Sequence, residues 1–295
     1  MSTVLITGTS TGIGRATAET LLSQGHTVYA TMRDAEGRDA AAASQLGEFA
    51  ASRPGTLRIA GLDVTSQASA DAAVQRVIDE AGHLDVVVHN AGHLFVGYTE
   101  AFTEDDLTRL LDVNAVGAHR VNRAALPHLR GRRSGTLVYV GSTILVTTPP
   151  FLGPYVASKA AFDALAVVTS YEVSQFGIET SIVMPGAIPH GTNHFSGASR
   201  ASDAQVTAAY ADLDALVART NEAHDGLFHP ERPADPQSVA DEVARILTLP
   251  EGCKPFRSVV DAARAGVDHV MAFSDLTREA FVRRLGFEEV LELKR

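Results

Sequence analysis

The sequence predicts a single-domain α/β fold: a doubly wound parallel sheet of seven strands with helices on both faces. Three observations carry that prediction. Short β-branched runs alternate with longer amphipathic stretches, each run is apolar almost throughout, and a glycine-rich turn joins the first run to the first amphipathic stretch. Near-continuous apolar strands are what a sheet covered on both faces requires.

In chain order, strands are predicted at residues 4–7, 27–31, 57–62, 86–89, 136–141, 180–183 and 257–260. Helices are predicted between them at 14–24, 38–51, 68–81, 104–130, 155–176 and 236–249, with Thr103 and Asp235 as capping residues of two. A long insertion at about 187–234 follows the sixth strand, and segments of that length are usually functional. Inside it Ser202 and Gln205 read as a capping box, and Val206, Tyr210, Leu213 and Val217 fall on one helical face. We expect residues 192–230 to form a lid over a cleft; a helix packed on the body is the plainer alternative. A helical extension at about 262–295 ends the chain.

Composition agrees with one domain. The 295 residues are 45% apolar and 20% charged, enough for a sizeable core and far from the disordered range. A net charge of −10 argues against a nucleic-acid partner, and the small knot of Arg130, Arg132 and Arg133 reads as a solvated helix end. Cys253 is the single cysteine, so no internal disulfide or cysteine-based metal cluster forms and a reduced cytoplasm fits. The apolar run at residues 4–6 is too short for a signal peptide, and no run is long enough to span a membrane.

The turn from Thr7 to Gly14 leaves a strand and opens a helix. A tight turn needs a residue free at positive φ, close approach to a pyrophosphate forbids a Cβ, and a helix N-terminus offers N–H groups and partial positive charge. Gly8, Gly12 and Gly14 suit those tasks, with Thr9, Ser10 and Ile13 supplying the backbone between them. An ordinary strand-to-helix turn is the competing reading, and the placement after strand one favours a dinucleotide.

Thr7-Gly8-x-x-x-Gly12-x-Gly14 is followed by Asp63-Val64, Asn90-Ala91-Gly92, Asn114, Ser142, Tyr155 with Lys159, and Pro185-Gly186. In order and spacing these resemble the short-chain dehydrogenase/reductase family over residues 3–190. The resemblance implies a Rossmann-type fold, NADP(H) or NAD(H) as cofactor, and Ser142, Tyr155, Lys159 and Asn114 as the catalytic set. It implies a cofactor site built from the glycine turn, Asp63, Val64, Asn90, Ala91, Gly92, Tyr155, Lys159, Pro185, Gly186 and Ile188. Many relatives place a threonine four residues after the Pro-Gly glycine; here Thr192 lies six after it, and backbone at Ile188 is expected to serve instead. The helices at 104–130 and 155–176 resemble the pair through which relatives form homodimers or homotetramers.

Tyr155 and Lys159 are four apart, so their side chains share one helix face. A free tyrosine, pKa near 10, is a weak acid at neutral pH. An ammonium at about 4 Å offers at most about 4 kcal/mol, and we expect it to lower Tyr155 by about two or three units. Ser142 is placed to donate to a substrate oxygen; Asn114, by resemblance, positions Lys159 through a water-linked proton path. Singly, each of these residues has a plain structural reading, as packing, turn or cap. Leu94, Phe95, Ile144, Leu145, Val146, Phe151 and Tyr210 suggest a pocket for a fairly hydrophobic carbonyl or alcohol, although such residues also suit plain core. His190 and His194 stand at helical spacing, but Gly191, Asn193 and the preceding proline make a helix poor there and no third ligand is evident, so no metal is expected and they read instead as loop histidines lining the substrate pocket. At the end of strand two Arg33 is placed to meet a 2′-phosphate, which predicts NADP(H); pairing with Asp34 would leave NAD(H) usable. The rival to a hydride-transferring enzyme is an NADP-binding regulator or sensor without turnover.

Overall fold

The structure is a computed structural model that describes residues 1–219, 226–229 and 231–294. The first half alternates β1 (Thr3–Thr7), α1 (Gly12–Ser23), β2 (Thr27–Met32), α2 (Ala40–Ala50), β3 (Thr56–Gly61), α3 (Gln67–Ala81) and β4 (Val86–His89). The short β5 (Phe95–Val96), α4 (Glu104–Leu111), α5 (Gly117–Arg132), β6 (Gly135–Val140), α6 (Ile144–Thr147), α7 (Gly153–Ser174) and β7 (Ile178–Pro185) follow. The last third holds β8 (Ser199–Arg200), α8 (Ala204–Ala209), α9 (Asp214–Ala218), α10 (Pro236–Thr248), β9 (Arg257–Val260) and α11 (Val267–Arg284).

Seven strands form one parallel sheet in the order β3-β2-β1-β4-β6-β7-β9, as the alternation predicts. Alternate side chains along each strand go to opposite faces. Leu5, Tyr29, Val87, Leu137 and Ile182 pack under α3, α5 and α7, whereas Val4, Val28, Val88, Val138 and Val183 pack under α1, α2 and α10. Burying each such side chain contributes about 1.5–3 kcal/mol. The strand order reverses between β1 and β4, and the crevice beyond the carboxyl ends of the strands at such a reversal is where open α/β sheets bind ligands.

Three details differ from the sequence reading. The helix expected over 104–130 is two helices joined by a π-helical segment, Asp112–Val116. Its wide turn carries Asn114, whose carboxamide receives His93 N–H at 2.7 Å and donates to His93 O and Ser158 Oγ, both at 2.9 Å. Those tertiary bonds hold the widened turn, whose backbone closes through Gly117 N–H to Asp112 O, and π-bulges are frequent at functional sites. Second, a two-stranded parallel ribbon, β5 with β8, ties the insertion to the loop after β4. Third, the cap of α8 is Asp203, which accepts Val206 N–H at 2.9 Å, and not Ser202. The helix expected there is split at Tyr210 and Ala211–Leu213 into α8 and α9, neither of which buries a residue. Residues 220–225 and 230 of the expected lid lie outside the described residues.

Candidate active site

Between β1 and α1 the glycines answer to specific sterics. Gly8 and Gly12 have φ of +72° and +59°. A Cβ on Gly14 would stand 2.2 Å from Gly8 O and 2.4 Å from Asn90 Nδ2, a space no side chain enters. Asn90 fastens the turn by donating from Nδ2 to Thr7 O at 2.9 Å and Gly8 O at 2.8 Å, while Thr7 Oγ1 receives the N–H groups of Asn90 and Ala91. Thr9 folds inward onto Thr31 O at 3.1 Å. Thr11, the N-cap of α1, makes no side-chain cap bond, so no capping side chain satisfies the first amides of that helix. Ser10 stands in the same turn, and Ile13 anchors it by packing on the core. A glycine-lined turn ending in an uncapped helix N-terminus fits a dinucleotide pyrophosphate.

Across the crevice, α7 begins at Gly153, where a Cβ would stand 2.5 Å from Thr99 Oγ1, so only glycine fits. Tyr155 lies in its first turn, buried, with Lys159 one turn further and also buried. Lys159 Nζ donates to Val140 O at 3.0 Å, and its burial lowers its pKa to about 8. Burial raises the Tyr155 phenol well above its ordinary value, and the Ser142 hydroxyl opposes that only in part. The net shift is therefore upward, opposite to the one expected from Lys159, with burial as its largest cause. Ser142 Oγ also accepts Ile144 N–H at 3.2 Å. Asn114 lies beside this pair, and the Cβ position of Gly92 is 3.5 Å from Asn114 Oδ1 and 3.9 Å from Lys159 Nζ.

Two loop residues, one read from sequence as a pocket histidine and one left open on its spacing, are brought to the site. His194 Nε2 stands 3.1 Å from Tyr155 Oη, and burial lowers this imidazole to about 4, with the Lys159 charge adding to the effect. The neutral ring and the phenol share that hydrogen bond. Thr192, set aside on spacing, packs its methyl 3.1 Å from the Cβ position of Gly12. It is brought there by an extra turn in which Thr192 Oγ1 donates to Ile188 O at 3.4 Å, while Ile188 itself is buried in the core. Gly186 is a glycine for a different reason: Asp261 Oδ1 lies 2.2 Å from where its Cβ would be. Pro185 O meanwhile accepts Thr143 N–H at 2.9 Å, holding the end of β7 beside Ser142.

At the adenosine end, Arg33 is exposed just after β2, and its charge acts on Asp39, Asp63 and His93. No ion pair joins it to Asp34, whose carboxylate instead accepts Gly37 N–H at 3.0 Å and Arg38 N–H at 2.9 Å. Asp63 Oδ1 accepts Thr65 N–H at 2.9 Å, and Val64 packs where a Cβ on Gly117 would be 2.9 Å away.

The expected apolar pocket divides. Leu94, Phe95 and Ile144 cluster with Tyr155, whereas Leu145 and Val146 pack on the sheet core. Phe151, at φ +65°, and Tyr210 flank Tyr98 in an aromatic ladder, with Tyr210 stacked on Tyr98 at 4.7 Å. Among the described residues no group of three or more histidine, cysteine or acidic side chains is arranged to hold a metal, and no helix is long and apolar enough to cross a membrane.

Comparison with known proteins places this geometry. A 3-ketodihydrosphingosine reductase of Bacteroides thetaiotaomicron is 33% identical over 183 residues, covering 62% of each chain. Human 17-beta-hydroxysteroid dehydrogenase type 1 is 40% identical over 190 residues, 63% of this chain and 56% of that one. The chain thus matches less than two thirds of the length of these relatives. A short-chain dehydrogenase from Streptomyces avermitilis superposes with a TM-score of 0.72 at 27% identity, covering 97% of this chain and 98% of the other. The family model described as short chain dehydrogenase matches residues 2–201, and the chain belongs to that family.

Proposed function

We propose that this chain is an NADP(H)-dependent cytoplasmic oxidoreductase that interconverts a carbonyl and an alcohol on a fairly hydrophobic small molecule. The observation that carries this reading is the convergence of Tyr155, Ser142, Lys159 and Asn114 beside the glycine turn, at the carboxyl ends of the strands. The nicotinamide, when bound, supplies or accepts the hydride.

The residues do the rest. Tyr155 carries the proton that a carbonyl oxygen takes up on reduction, and the Lys159 ammonium, by stabilising the phenolate left behind, offsets the weakening of this acid that burial imposes. Ser142 orients that oxygen. His194, hydrogen-bonded to the phenol, gives place to the substrate oxygen as it enters. Lys159, with a pKa near 8, is mostly an ammonium at pH 7 and attracts the negative charge left on the phenolate. Asn114 holds the loop at His93, and through Ser158 it holds the start of α7.

Arg33, unpaired with Asp34 and exposed at the adenosine end, favours the 2′-phosphate. The apolar cluster at Tyr155, and relatives named for a ketodihydrosphingosine and a hydroxysteroid, support an apolar substrate. The insertion acts as a lid, and α5 with α7 supplies an interface for a homodimer or homotetramer. The test is NADPH oxidation with a panel of ketones, aldehydes and quinones, run beside NADPH binding by fluorescence. Turnover of an apolar ketone supports the enzyme; binding without turnover of any panel member favours the regulator.

A further inference from the structure

The outer face of α11 is apolar where a surface helix is ordinarily polar. Its inner face is fully used: Val267, Met271 and Val282 are buried, Asp275 pairs with Arg257 of β9, and Arg278 donates to Tyr171 Oη at 3.0 Å. On the opposite side Val270, Phe273, Leu276 and Phe281 are 51%, 73%, 66% and 58% exposed, and Leu285 and Phe287 continue the patch at 53% and 58%. Val270, Phe273, Leu276 and Phe281 all fall on the outer arc of the helix, so this is one apolar face and not scattered surface residues.

We propose that this stripe docks a second copy of this chain, with the two α11 helices antiparallel across a twofold axis. Two arguments select that occupant. The first is area. Side chains of this kind carry roughly 150–250 Å² each, so six of them more than half exposed offer roughly 600 Å² per copy. A pair then removes roughly 1,200 Å² from water, the lower bound for a stable specific interface. The second is charge. The first turn of α11 carries Asp268 and the last turn carries Arg283 and Arg284. An antiparallel mate sets each basic end against an acidic end and opposes the helix dipoles favourably; a parallel mate sets like against like. Such an interface is self-complementary, as twofold symmetry demands. An anionic lipid surface fits worse, because Glu288 and Glu289 adjoin the patch and the chain's net charge is −10. The surface is distinct from α7, where Leu165 and Val168 are exposed, and it does not depend on the catalytic reading.

Sedimentation velocity and light scattering on the full chain test the proposal, beside Phe273→Asp, the single exchanges Asp268→Lys and Arg284→Glu, and the two exchanges together. The wild type is expected to assemble, and Phe273→Asp to halve its mass with the melting temperature kept. Each single charge exchange should raise the dissociation constant about tenfold, about 1.4 kcal/mol, and the double exchange should restore it. Should Phe273→Asp lower the melting temperature, the charge exchanges decide alone. A monomeric wild type overturns the proposal, as does a mass that changes only with Leu165→Glu in α7. Flotation with phosphatidylcholine–phosphatidylglycerol vesicles that is lost in Phe273→Asp would assign the face to lipid and overturn it equally.

Discussion

The two walls of the crevice are built by opposite means. On the cofactor side, main-chain sterics dictate the residues: Gly14 faces Gly8 O and Asn90 at distances that exclude any Cβ, and Asn90 and Thr7 lock the turn from inside. On the substrate side, the insertion is tied by only the two-residue β5–β8 ribbon and by side chains far apart in sequence. Ser202 reaches Asp106, Ser199 reaches His93 at 2.8 Å, and Tyr210 lies on Tyr98, while α8 and α9 bury nothing. A wall fixed by backbone geometry tolerates almost no substitution. One held by a two-residue ribbon and a few polar and aromatic contacts, with helices that bury nothing, opens at smaller cost.

That contrast makes ranked predictions. The largest effect belongs to the chemistry between the walls. Tyr155→Phe removes the proton donor and its bond to His194 but little shape, so kcat should fall by at least about a thousandfold, the size of a general-acid contribution. NADPH affinity, measured by fluorescence titration, should stay within a few fold. A variant retaining most of the wild-type rate would remove Tyr155 from the acid role. Next comes Gly14→Ala, where backbone oxygen and a buried carboxamide cannot yield. NADPH affinity should drop by about a hundredfold or more, roughly 3 kcal/mol, with a lowered melting temperature. Unchanged affinity would mean that the turn does not bind the pyrophosphate.

The same division explains what the sequence made legible. The seven strands and the glycine turn follow from apolar periodicity and from Gly8, Gly12 and Gly14, which are local demands. The π segment at Asn114 was hidden because nothing in Asp112–Val116 marks a π turn as against an α turn; the bonds to His93 and Ser158 distinguish it. The contacts of His194 and Thr192 were hidden for a related reason. Their positions depend on how a loop of irregular backbone returns to the site, and spacing from Pro185-Gly186 misleads when one extra turn intervenes. Their type was nevertheless a signal, since Gly191 at φ +73° allows that turn. Tyr155 shows a different failure: identity told where the phenol sits, but the sign of its shift required knowing how deeply α7 is buried.

Arg33 lies at the cofactor wall's exposed end, so its effect should be intermediate. Wild type should favour NADPH over NADH in kcat/KM by at least about tenfold, about 1.4 kcal/mol, and Arg33→Ala should erase most of that margin. Equal use of both by the wild type, or a margin kept in the variant, would show that this guanidinium does not read the 2′-phosphate.

Asp106 is where the insertion is tied to α4. Its carboxylate accepts Thr103 N–H and Ser202 N–H, both at 3.1 Å, and Ser202 Oγ at 2.5 Å, with Arg109 on its other oxygen. Burial alone would raise this carboxyl, but the bonds from Ser202, Thr103 and Arg109 hold it far below the usual range. A depressed folded pKa stabilises above the unfolded value, near 3.9, and is lost as pH falls below it. Asp106→Asn should therefore cost about 1–3 kcal/mol at pH 7, and urea unfolding should show the gap to wild type shrinking below about pH 4. A gap independent of pH would mean that packing, and not charge, makes the tie.

The smallest effect should come from Tyr210, at the point where α8 gives way to α9. Its ring stacks on Tyr98, its hydroxyl donates to Glu100 at 2.5 Å, and Tyr98 Oη in turn donates to Asp214 Oδ1 at 3.0 Å. The stack is worth about 0.5–1.5 kcal/mol, and the hydroxyl bonds, being exposed, add little. Tyr210→Ser should leave the melting temperature within a few degrees, because α8 and α9 contribute no core. If the insertion closes over substrate, the closed form loses that stack, so KM for the substrate should rise about three- to tenfold by the same energy, with NADPH affinity unmoved. Tyr210→Phe, which keeps the ring and drops the hydroxyl, should recover most of the loss. An unfolded Tyr210→Ser protein would make this helix part of the core, and an unaltered KM would leave the insertion without a gating role.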